Sequence, residues 1–302
     1  MRTTRTFPAL VLLALGLTFP TLAQSAEPPT GPPRLLGFDA LQSRLSNAKL
    51  RLLDVRARVD YDRGHIPGAI WVDSKAAQAL ASKPGGLTDR ESWQRWVAPL
   101  GIGPESEVIV IDGKRQLDAA RTWWLLRYLG VDKVGLVDGN LPLWANQKRP
   151  VTTESSGVEP GPFRVAFRRT RIATRDDVLA ALNAGSDSFV DARSAEEYSG
   201  AKKSSKRGGH IPSACHLEWS DLVDNDGRFL EASALRSRLE KSGIKPGAPV
   251  ITHCQGGGRA SVDAFVLERL GFPARNYYQG WSDWGNAEET PIASGAEPGP
   301  RP

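Results

Sequence analysis

The sequence predicts an α/β protein made of two tandem domains of one fold, each a parallel β-sheet flanked by helices. Two observations predict this architecture. The chain contains an internal repeat, and in each half short apolar runs alternate with stretches of helical period. Such alternation is typical of parallel sheets that are covered by helices on both faces. With 302 residues, the chain is long enough for two hydrophobic cores.

The internal repeat joins segments that lie about 140 residues apart, a period that indicates a duplicated domain and not a solenoid. The matched segments are Leu53-Asp54-Val55-Arg56 with Val190-Asp191-Ala192-Arg193, Gly64-His65-Ile66-Pro67 with Gly209-His210-Ile211-Pro212, the apolar run before Asp112 with the run before Cys254, and Gly139/Trp144 with Gly280/Trp284. We therefore predict domain 1 at residues 34–150, a linker at 151–169, domain 2 at 170–292, and a flexible Pro/Gly-rich tail at 293–302.

In domain 2, residues 188–191 and 249–252 are predicted to be strands, and residues 231–242 and 261–270 to be helices. Cys215 falls in a further expected strand, and we interpret it as a small buried side chain and not as half of a disulfide. In open parallel sheets, binding sites lie beyond the carboxyl ends of the strands. Cys254 lies at such an end.

The first 26 residues have the pattern of a secretory signal peptide. Arg2 and Arg5 precede a short apolar stretch, which is followed by small residues suited to cleavage. The apolar stretch is too short to span a bilayer. We expect an exported protein with no membrane span after cleavage, periplasmic if the source is Gram-negative and secreted otherwise. The formal charge of +5 is a mild surplus, so a nucleic-acid partner is not expected.

Residues 254–259, called here the Cys254 loop, carry the predicted chemistry. A strand, a glycine-rich turn and a helix N-terminus together aim backbone N–H groups at one point, which makes an anion site. Glycine permits the tight turn without steric cost. A cysteine at the start of such a loop is expected to be a thiolate nucleophile. We therefore predict Cys254 as the catalytic residue, with an anion bound by Gln255, Gly256, Gly257, Gly258 and Arg259.

Together with the repeated Asp-x-Arg, Gly-His-Ile-Pro and Gly…Trp signatures, this loop resembles the active-site loop of the tandem-domain rhodaneses, a family of sulfurtransferases. The resemblance covers roughly residues 34–292. It implies two rhodanese-like domains, of which the first is inactive because Asp112 stands at the cysteine position and is expected to make local or interdomain hydrogen bonds. It also implies that a small anionic sulfur donor loads Cys254 with a persulfide, which cyanide or a thiol then unloads. It implies no metal or organic cofactor.

The sulfur donor is open between thiosulfate and 3-mercaptopyruvate. Mercaptopyruvate-using relatives resemble one another in a Cys-Gly-Ser/Ala-Gly loop and in an arginine four residues after the Asp-x-Arg arginine. Here Gln255 follows the cysteine, and Glu197 stands at the arginine position. We therefore favour thiosulfate.

Two other functions are compatible with the same loop. One is a non-enzymatic persulfide carrier or binding module that passes sulfur to a partner. The other is a Cys-dependent phosphatase of the same fold, whose loop has five residues between cysteine and arginine. Four residues separate Cys254 from Arg259, and the tighter ring suits a single sulfur atom better than a phosphate.

Two arginines near the predicted site each have two interpretations. Arg193 either forms a buried pair with Asp191 or faces the substrate, and we keep it as a candidate substrate-binding residue. Arg259 either binds the anionic substrate or bridges to a neighbouring carboxylate.

Residues 200–208 occur only in domain 2. Their cations form either a solvated loop or a positive lip that attracts anions; they are Lys202, Lys203, Lys206 and Arg207. The four histidines of the chain have no metal-ligand spacing. His65 and His210 occur in both halves and are interpreted as structural. His253 adjoins Cys254 on a strand, so the two side chains are expected on opposite faces.

Overall fold

The computed structural model describes residues 31–301. The predicted signal peptide at residues 1–26 lies outside the described residues. From residue 31 to residue 301, no helix combines the length and apolar character needed to cross a membrane.

Domain 1 is a five-stranded parallel sheet flanked by helices. Its strands are β1 (Arg34–Leu36), β2 (Leu50–Asp54), β3 (Ile70–Trp71), β4 (Glu107–Ile111) and β5 (Val134–Val137). Its helices are α1 (Phe38–Gln42), α2 (Arg58–Arg63), α3 (Ser74–Ser82), α4 (Arg90–Val97), α5 (Leu117–Tyr128) and α6 (Leu141–Asn146). The strand order is β1-β5-β4-β2-β3. β4 is apolar and buried from Val108 to Ile111, as expected for an inner strand covered on both faces.

Domain 2 repeats this architecture with four strands in the sheet. Its strands are β6 (Ser188–Asp191), β7 (Ala214–His216), β8 (Val250–His253) and β9 (Ala274–Tyr277). Its helices are α7 (Arg175–Ala184), α8 (Ala195–Ser199), α9 (Ala232–Lys241), α10 (Gly258–Arg269) and α11 (Gly280–Trp284). All strands pair in parallel in the order β7-β6-β8-β9. A single parallel bridge of Ile172 with Asn276 takes the place that β1 has in domain 1.

The predicted elements of domain 2 are confirmed, with shifted ends. The largest shift concerns α10, which begins at Gly258 and not at residue 261. The last glycine of the turn therefore belongs to the helix, and Arg259 lies in its first turn. Cys215 lies half-buried in β7 as a free thiol, and Cys254 is also free.

Helices α5 and α10 pack against each other between the two domains. Trp123 of α5 meets Phe265 of α10 edge-on, with ring centroids 5.0 Å apart. Trp124 stacks on Tyr278 at 5.0 Å. Such aromatic pairs add about 0.5–1.5 kcal/mol each beyond the area they bury. The N-termini of α5 and α10 are thereby held at one interface.

The tail is hydrogen-bonded to domain 2, and the flexibility expected of residues 293–302 stays a prediction. Ala293 and His210 exchange both backbone hydrogen bonds, at 2.8 and 3.0 Å, and the Gly295 N–H donates to Ser199. In domain 1, Thr152 and His65 form the equivalent bridge. A Pro/Gly-rich composition cannot reveal this bridge, because its partner His210 lies far away in the sequence.

Candidate active site

Cys254 follows β8 directly and is 2 % exposed. β8 lies in the interior of the domain 2 sheet, between β6 and β9. The side chain packs with Ala192 and Ala260. The thiol thus lies at the carboxyl end of an inner strand, at the position where the sequence predicts a site.

The start of α11 takes up the first two carbonyl groups of the Cys254 loop. The Trp281 N–H donates to the carbonyl oxygen of Cys254 at 2.7 Å, and the Ser282 N–H donates to that of Gln255 at 3.0 Å. Gly280 allows this close approach, because a Cβ there would overlap the Cys254 carbonyl.

The next two carbonyl groups of the loop are also engaged. The Gly256 oxygen accepts the Gly258 N–H at 3.0 Å. The Gly257 oxygen accepts the Ser261 hydroxyl at 2.7 Å and the Asn276 amide at 3.0 Å. The loop carbonyls are therefore fixed by the chain around them.

Unlike the carbonyl groups, most backbone N–H groups of the loop have no hydrogen-bond partner among residues 31–301. In the described part of the chain, no acceptor takes a hydrogen bond from the backbone N–H of Gln255, Gly256, Gly257, Arg259 or Ala260. The N–H and C=O of a trans peptide point in opposite directions. A loop whose carbonyls are bonded to its surroundings therefore presents its N–H groups on its other face, where an anion can accept them.

Gly257 makes this turn possible. Its φ of +75° lies in the left-handed region, and a Cβ at this position would overlap the Tyr278 ring. Glycine is the residue type that both adopts this φ without strain and leaves room for the Tyr278 ring. Gly257 precedes the 12-residue helix α10, whose N-terminus adds positive potential to the same place.

The guanidinium of Arg259 forms a two-point ion pair with Glu197 of α8. Nη1 lies 2.5 Å from Oε2, and Nη2 lies 3.1 Å from Oε1. Burial opposes the ionisation of Glu197, but the hydrogen bond and charge of Arg259 outweigh it and hold the pKa of Glu197 below its usual value. Of the two interpretations of Arg259, the structure thus shows the bridge to a carboxylate.

The prediction that Arg193 faces the substrate is wrong. Arg193 is 1 % exposed and binds Asp191 through Nε and Nη2, at 2.9 and 2.6 Å. Nη2 also donates to the Gly209 carbonyl, and the guanidinium lies over the Trp281 ring at 4.4 Å. The Asp-x-Arg turn points its arginine back toward its own aspartate. All the contacts named here for the Arg193 guanidinium therefore lie inside domain 2.

The side chain of Gln255 turns away from the loop interior. It accepts a hydrogen bond from the Ser204 hydroxyl at 2.7 Å and donates to the Ser204 carbonyl at 3.0 Å. Residues 200–208, called here the insertion, are therefore anchored on the Cys254 loop. Gln255 can contribute its backbone N–H to an anion, but its amide is already used.

The insertion divides its cations into two groups. Arg207 is fixed, because its guanidinium donates to backbone carbonyls that include Thr290 at 2.9 Å and Trp284 at 3.0 Å. Lys202, Lys203 and Lys206 are exposed. Of the four predicted lip residues, only these three lysines are placed to attract anions from solvent.

The histidines of the chain are placed away from the thiol chemistry. His65 and His210 stack on Tyr61 and Tyr198 at 3.8 Å, as expected of structural residues. His253 is fully buried, with Nε2 3.7 Å from an Asp191 oxygen, and burial lowers its pKa to about 4. It is therefore neutral near pH 7. Within residues 31–301, no group of three or more His, Cys, Asp or Glu is arranged to hold a metal ion.

Two residues near the loop were not predicted from the sequence. Asp263 on α10 is fully buried, and neither of its carboxylate oxygens has a partner in the described region. Burial, followed by the charge of Asp191, raises the pKa of Asp263 well above its usual value. Its signal in the sequence is a lone acid one turn after Arg259 in an otherwise apolar stretch. Arg121 comes from domain 1, is 8 % exposed, and lies so close to Gly258 that a Cβ there would overlap its guanidinium.

Asp112 fills the equivalent loop of domain 1 with its own carboxylate. Oδ1 accepts the Lys114 N–H at 3.0 Å, and Oδ2 lies 3.5 Å from the Ala119 N–H. The expected local hydrogen bonds are therefore present. Burial raises the pKa of Asp112 to about 6.

Comparison with known proteins gives a consistent result. A family model described as a rhodanese-like domain matches residues 38–147 and again residues 174–287. Thiosulfate sulfurtransferase of Azotobacter vinelandii is 35% identical over 254 residues, which cover 83% of this chain and 94% of that protein. Sulfur carrier protein TtuD of Thermus thermophilus is 34% identical over 281 residues, 88% of this chain and 98% of that one. The crystal structure of SseA from Escherichia coli, described as a 3-mercaptopyruvate sulfotransferase, superposes with a TM-score of 0.71 at 26% identity, covering 82% of this chain and 99% of SseA.

Proposed function

Because this chain belongs to the tandem-domain rhodanese family of sulfurtransferases, we propose that it moves the sulfane sulfur of thiosulfate to cyanide or a thiol through a persulfide on Cys254. The observation that carries the proposal is the Cys254 loop. Its carbonyls from Cys254 to Gly257 are bonded, whereas its N–H groups at Gln255, Gly256, Gly257 and Arg259 have no acceptor among the described residues. The outer sulfur of a persulfide is a monoanion. Hydrogen bonds to charged groups contribute about 1.5–3 kcal/mol each, so several loop N–H groups can stabilise this intermediate.

The first half-reaction loads the cysteine. The Cys254 thiolate attacks the outer sulfur of thiosulfate, a new S–S bond forms, and the S–S bond of thiosulfate breaks. Its electron pair leaves on sulfite, so the total charge is unchanged and no redox partner is needed. The loop N–H groups and the N-terminus of α10 hold the negative charge that remains on the outer sulfur.

The second half-reaction unloads it. Cyanide attacks the outer sulfur, thiocyanate leaves, and the Cys254 thiolate is regenerated; a thiolate acceptor reacts in the same way and becomes a persulfide. No side chain has to donate a proton to either leaving group, because sulfite and thiolate are both stable anions. This agrees with a site in which His253 is buried and neutral.

The choice of thiosulfate rests on the environment of Arg259. A mercaptopyruvate donor carries a carboxylate, for which a guanidinium beside the loop would be the matching two-point partner. Arg259 is paired with Glu197, and Arg193 is buried against Asp191. The backbone N–H groups can take thiosulfate without either guanidinium. 3-Mercaptopyruvate is the alternative sulfur donor, and the structural similarity to SseA supports testing it.

A carrier function is the second candidate, and the likeness to sulfur carrier protein TtuD favours it. In that case, the persulfide would pass to a protein acceptor instead of a small thiophile. The 2 % exposure of Cys254 argues for a small acceptor, because little of the thiol is open to a protein surface and the insertion is anchored on the same loop.

Mass spectrometry after incubation with thiosulfate tests the main proposal. We expect the Cys254 peptide to gain one sulfur atom, cyanide to remove it, and Cys254→Ser to abolish the gain. Cys215→Ser is the matched control and should load normally, because burial raises the pKa of the Cys215 thiol and keeps it protonated. No gain with thiosulfate but a gain with 3-mercaptopyruvate would overturn the donor assignment. Loading that only a protein acceptor reverses would favour the carrier.

We also propose that the protein is exported, on the pattern of residues 1–26. Expression of the full chain in a Gram-negative host tests this. The expected result is a periplasmic product that lacks about the first 26 residues by N-terminal mass analysis. A cytoplasmic product that keeps Met1 would contradict it.

A further inference from the structure

Domain 1 contains a cavity of about 770 Å³ beside Asp112. It opens between α2, α3, α6 and the turn before α5, at the position where domain 2 has its Cys254 loop. This volume falls within the range of about 300–1,000 Å³ that is typical of small-molecule sites.

The repeat explains why the cavity is open in domain 1. In domain 2, the insertion packs onto the equivalent surface, where Ser205 donates to the Trp281 carbonyl and the Lys206 N–H binds Asn286. Domain 1 has no such segment, because Arg63 of α2 is followed directly by Gly64 of the Gly-His-Ile-Pro signature. The space that the insertion covers in domain 2 is left free in domain 1.

The charges that line the cavity leave a positive surplus. Each of its three acids is already engaged: Asp60 with Arg63 at 3.5 Å, Asp118 with Arg121 at 3.2 Å, and Asp112 with backbone N–H groups. Lys75 and Lys114 also line the cavity. Among residues 31–301, no carboxylate lies within 4.0 Å of either lysine. An anion is therefore the complementary charge.

The remaining wall is apolar, so the complementary ligand also has an apolar body. The apolar lining residues are Val55, Leu117, Leu141, Pro142, Ala145 and Val151. A small inorganic anion would contact the lysines and leave this wall unused. The loop itself is not available to the ligand, because the Asp112 carboxylate fills it.

One lining residue belongs to both sites. Arg121 contacts the cavity on one side and the Gly258 backbone of the Cys254 loop on the other. Its Nη1 is held by Gln78 at 2.7 Å, and its Nε has no partner in the described residues. A ligand that binds Arg121 in the cavity therefore contacts a residue that also contacts the Cys254 loop.

We propose that the domain 1 cavity binds an organic anion with an apolar body, at a site separate from the Cys254 loop, and that Arg121 couples the two sites. Lys75 and Lys114 bind the anionic group, and the α6 side of the cavity contacts the apolar body. The binding site does not depend on the identity of the sulfur donor, whereas the coupling rests on the proposed sulfur transfer from thiosulfate.

Binding of 8-anilinonaphthalene-1-sulfonate, followed by its fluorescence, tests the site on the folded protein. We expect the paired variant Lys75→Gln/Lys114→Gln to weaken binding at least ten-fold. The control Lys133→Gln/Lys245→Gln removes two exposed lysines elsewhere and should leave binding unchanged. Ala145→Trp fills the cavity from the exposed face of α6 without changing charge, and it should also abolish binding. The uncharged analogue N-phenyl-1-naphthylamine should bind at least ten-fold more weakly than the sulfonate.

Three outcomes would overturn the binding site: equal binding to both lysine pairs, full binding to Ala145→Trp, or displacement of the probe by thiosulfate at the concentrations that saturate catalysis. The coupling is tested separately by steady-state kinetics. The probe should change the KM for thiosulfate at least two-fold in the unmodified protein and leave it unchanged in Lys75→Gln/Lys114→Gln, whose basal activity should be normal. Binding at the cavity with no kinetic effect would leave the site in place and remove the coupling.

Discussion

Glu197 of α8 holds the guanidinium of Arg259 by two hydrogen bonds, at 2.5 and 3.1 Å, at the edge of the Cys254 loop. The same Glu197 closes a capping box with Ser194 at the start of α8. One carboxylate thus fixes a helix terminus and neutralises the side-chain cation of the sulfur site. The positive character of the site is left to the backbone N–H groups and to the N-terminus of α10.

Glu197→Gln should strengthen the binding of anionic donors. Glutamine preserves the capping box but removes the charge that neutralises Arg259. A unit charge a few ångströms away is worth about 1 kcal/mol in a watery setting, so the KM for thiosulfate should fall about five-fold. Steady-state kinetics with cyanide as acceptor measures this. Glu196→Gln, an exposed neighbour on the same helix, is the control, and an equal fall in KM in that variant would contradict the argument.

Gly257→Ala should abolish most of the activity. The left-handed conformation at φ +75° costs an alanine about 1–2 kcal/mol, and its Cβ would also displace the Tyr278 ring and the loop with it. Gly271→Ala is the matched control, because it has φ +88° with open space around it and suffers only the backbone cost. Gly257→Ala should have a lower free energy of unfolding in urea and a lower rate of sulfur transfer than Gly271→Ala. Similar activity in both would show that the contact with Tyr278 is unimportant.

Arg193→Met should lower stability while the folded fraction keeps its KM for thiosulfate. Removing one partner of a buried ion pair costs about 3–5 kcal/mol, because Asp191 is left buried and unpaired. Arg56→Met offers the comparison, since Arg56 pairs with Asp54 in the same way in domain 1. Its loss should be smaller, because the Arg56 side chain is 11 % exposed against 1 % for Arg193. A raised KM at unchanged stability in Arg193→Met would return Arg193 to the substrate site.

Asp112→Asn should stabilise the protein in a pH-dependent way. Burial raises the pKa of Asp112 from 3.8 to about 6, so the native state binds this proton more tightly than the unfolded chain does. The stability of the unmodified protein therefore falls as pH rises from about 4 to about 6, by up to about 3 kcal/mol for a shift of this size. The advantage of Asp112→Asn should be near zero at pH 4 and constant above pH 7, as measured by urea unfolding at each pH. An advantage that is equal at both pH values would contradict a titrating carboxylate.

Much of the structure of domain 2 follows from local sequence. The apolar run before Cys254, the glycines after it and the helical period beyond them predict a strand, a tight turn and a helix N-terminus, and the structure contains these elements in that order. Such features are predictable because the conformations of neighbouring residues set them. The internal repeat extends the same reasoning to domain 1, where Asp112 takes the place of the thiol.

The sequence does not decide which of two roles a charged side chain takes. Arg193 was kept as a substrate residue because a buried ion pair and a substrate contact look alike in the sequence. In the same way, the composition of the tail does not reveal its backbone bridge to His210.

The sequence by itself therefore determined the fold class, the duplicated architecture and the position of the Cys254 loop at the end of a strand. Only the tertiary structure decided where two of the charges go: Arg259 to Glu197, and Arg121 from domain 1 to the loop of domain 2. The physical reason is that backbone conformation depends on adjacent residues, whereas the partner of a long charged side chain depends on which surfaces the packing of α5 against α10, and of α8 beside the loop, brings within a few ångströms.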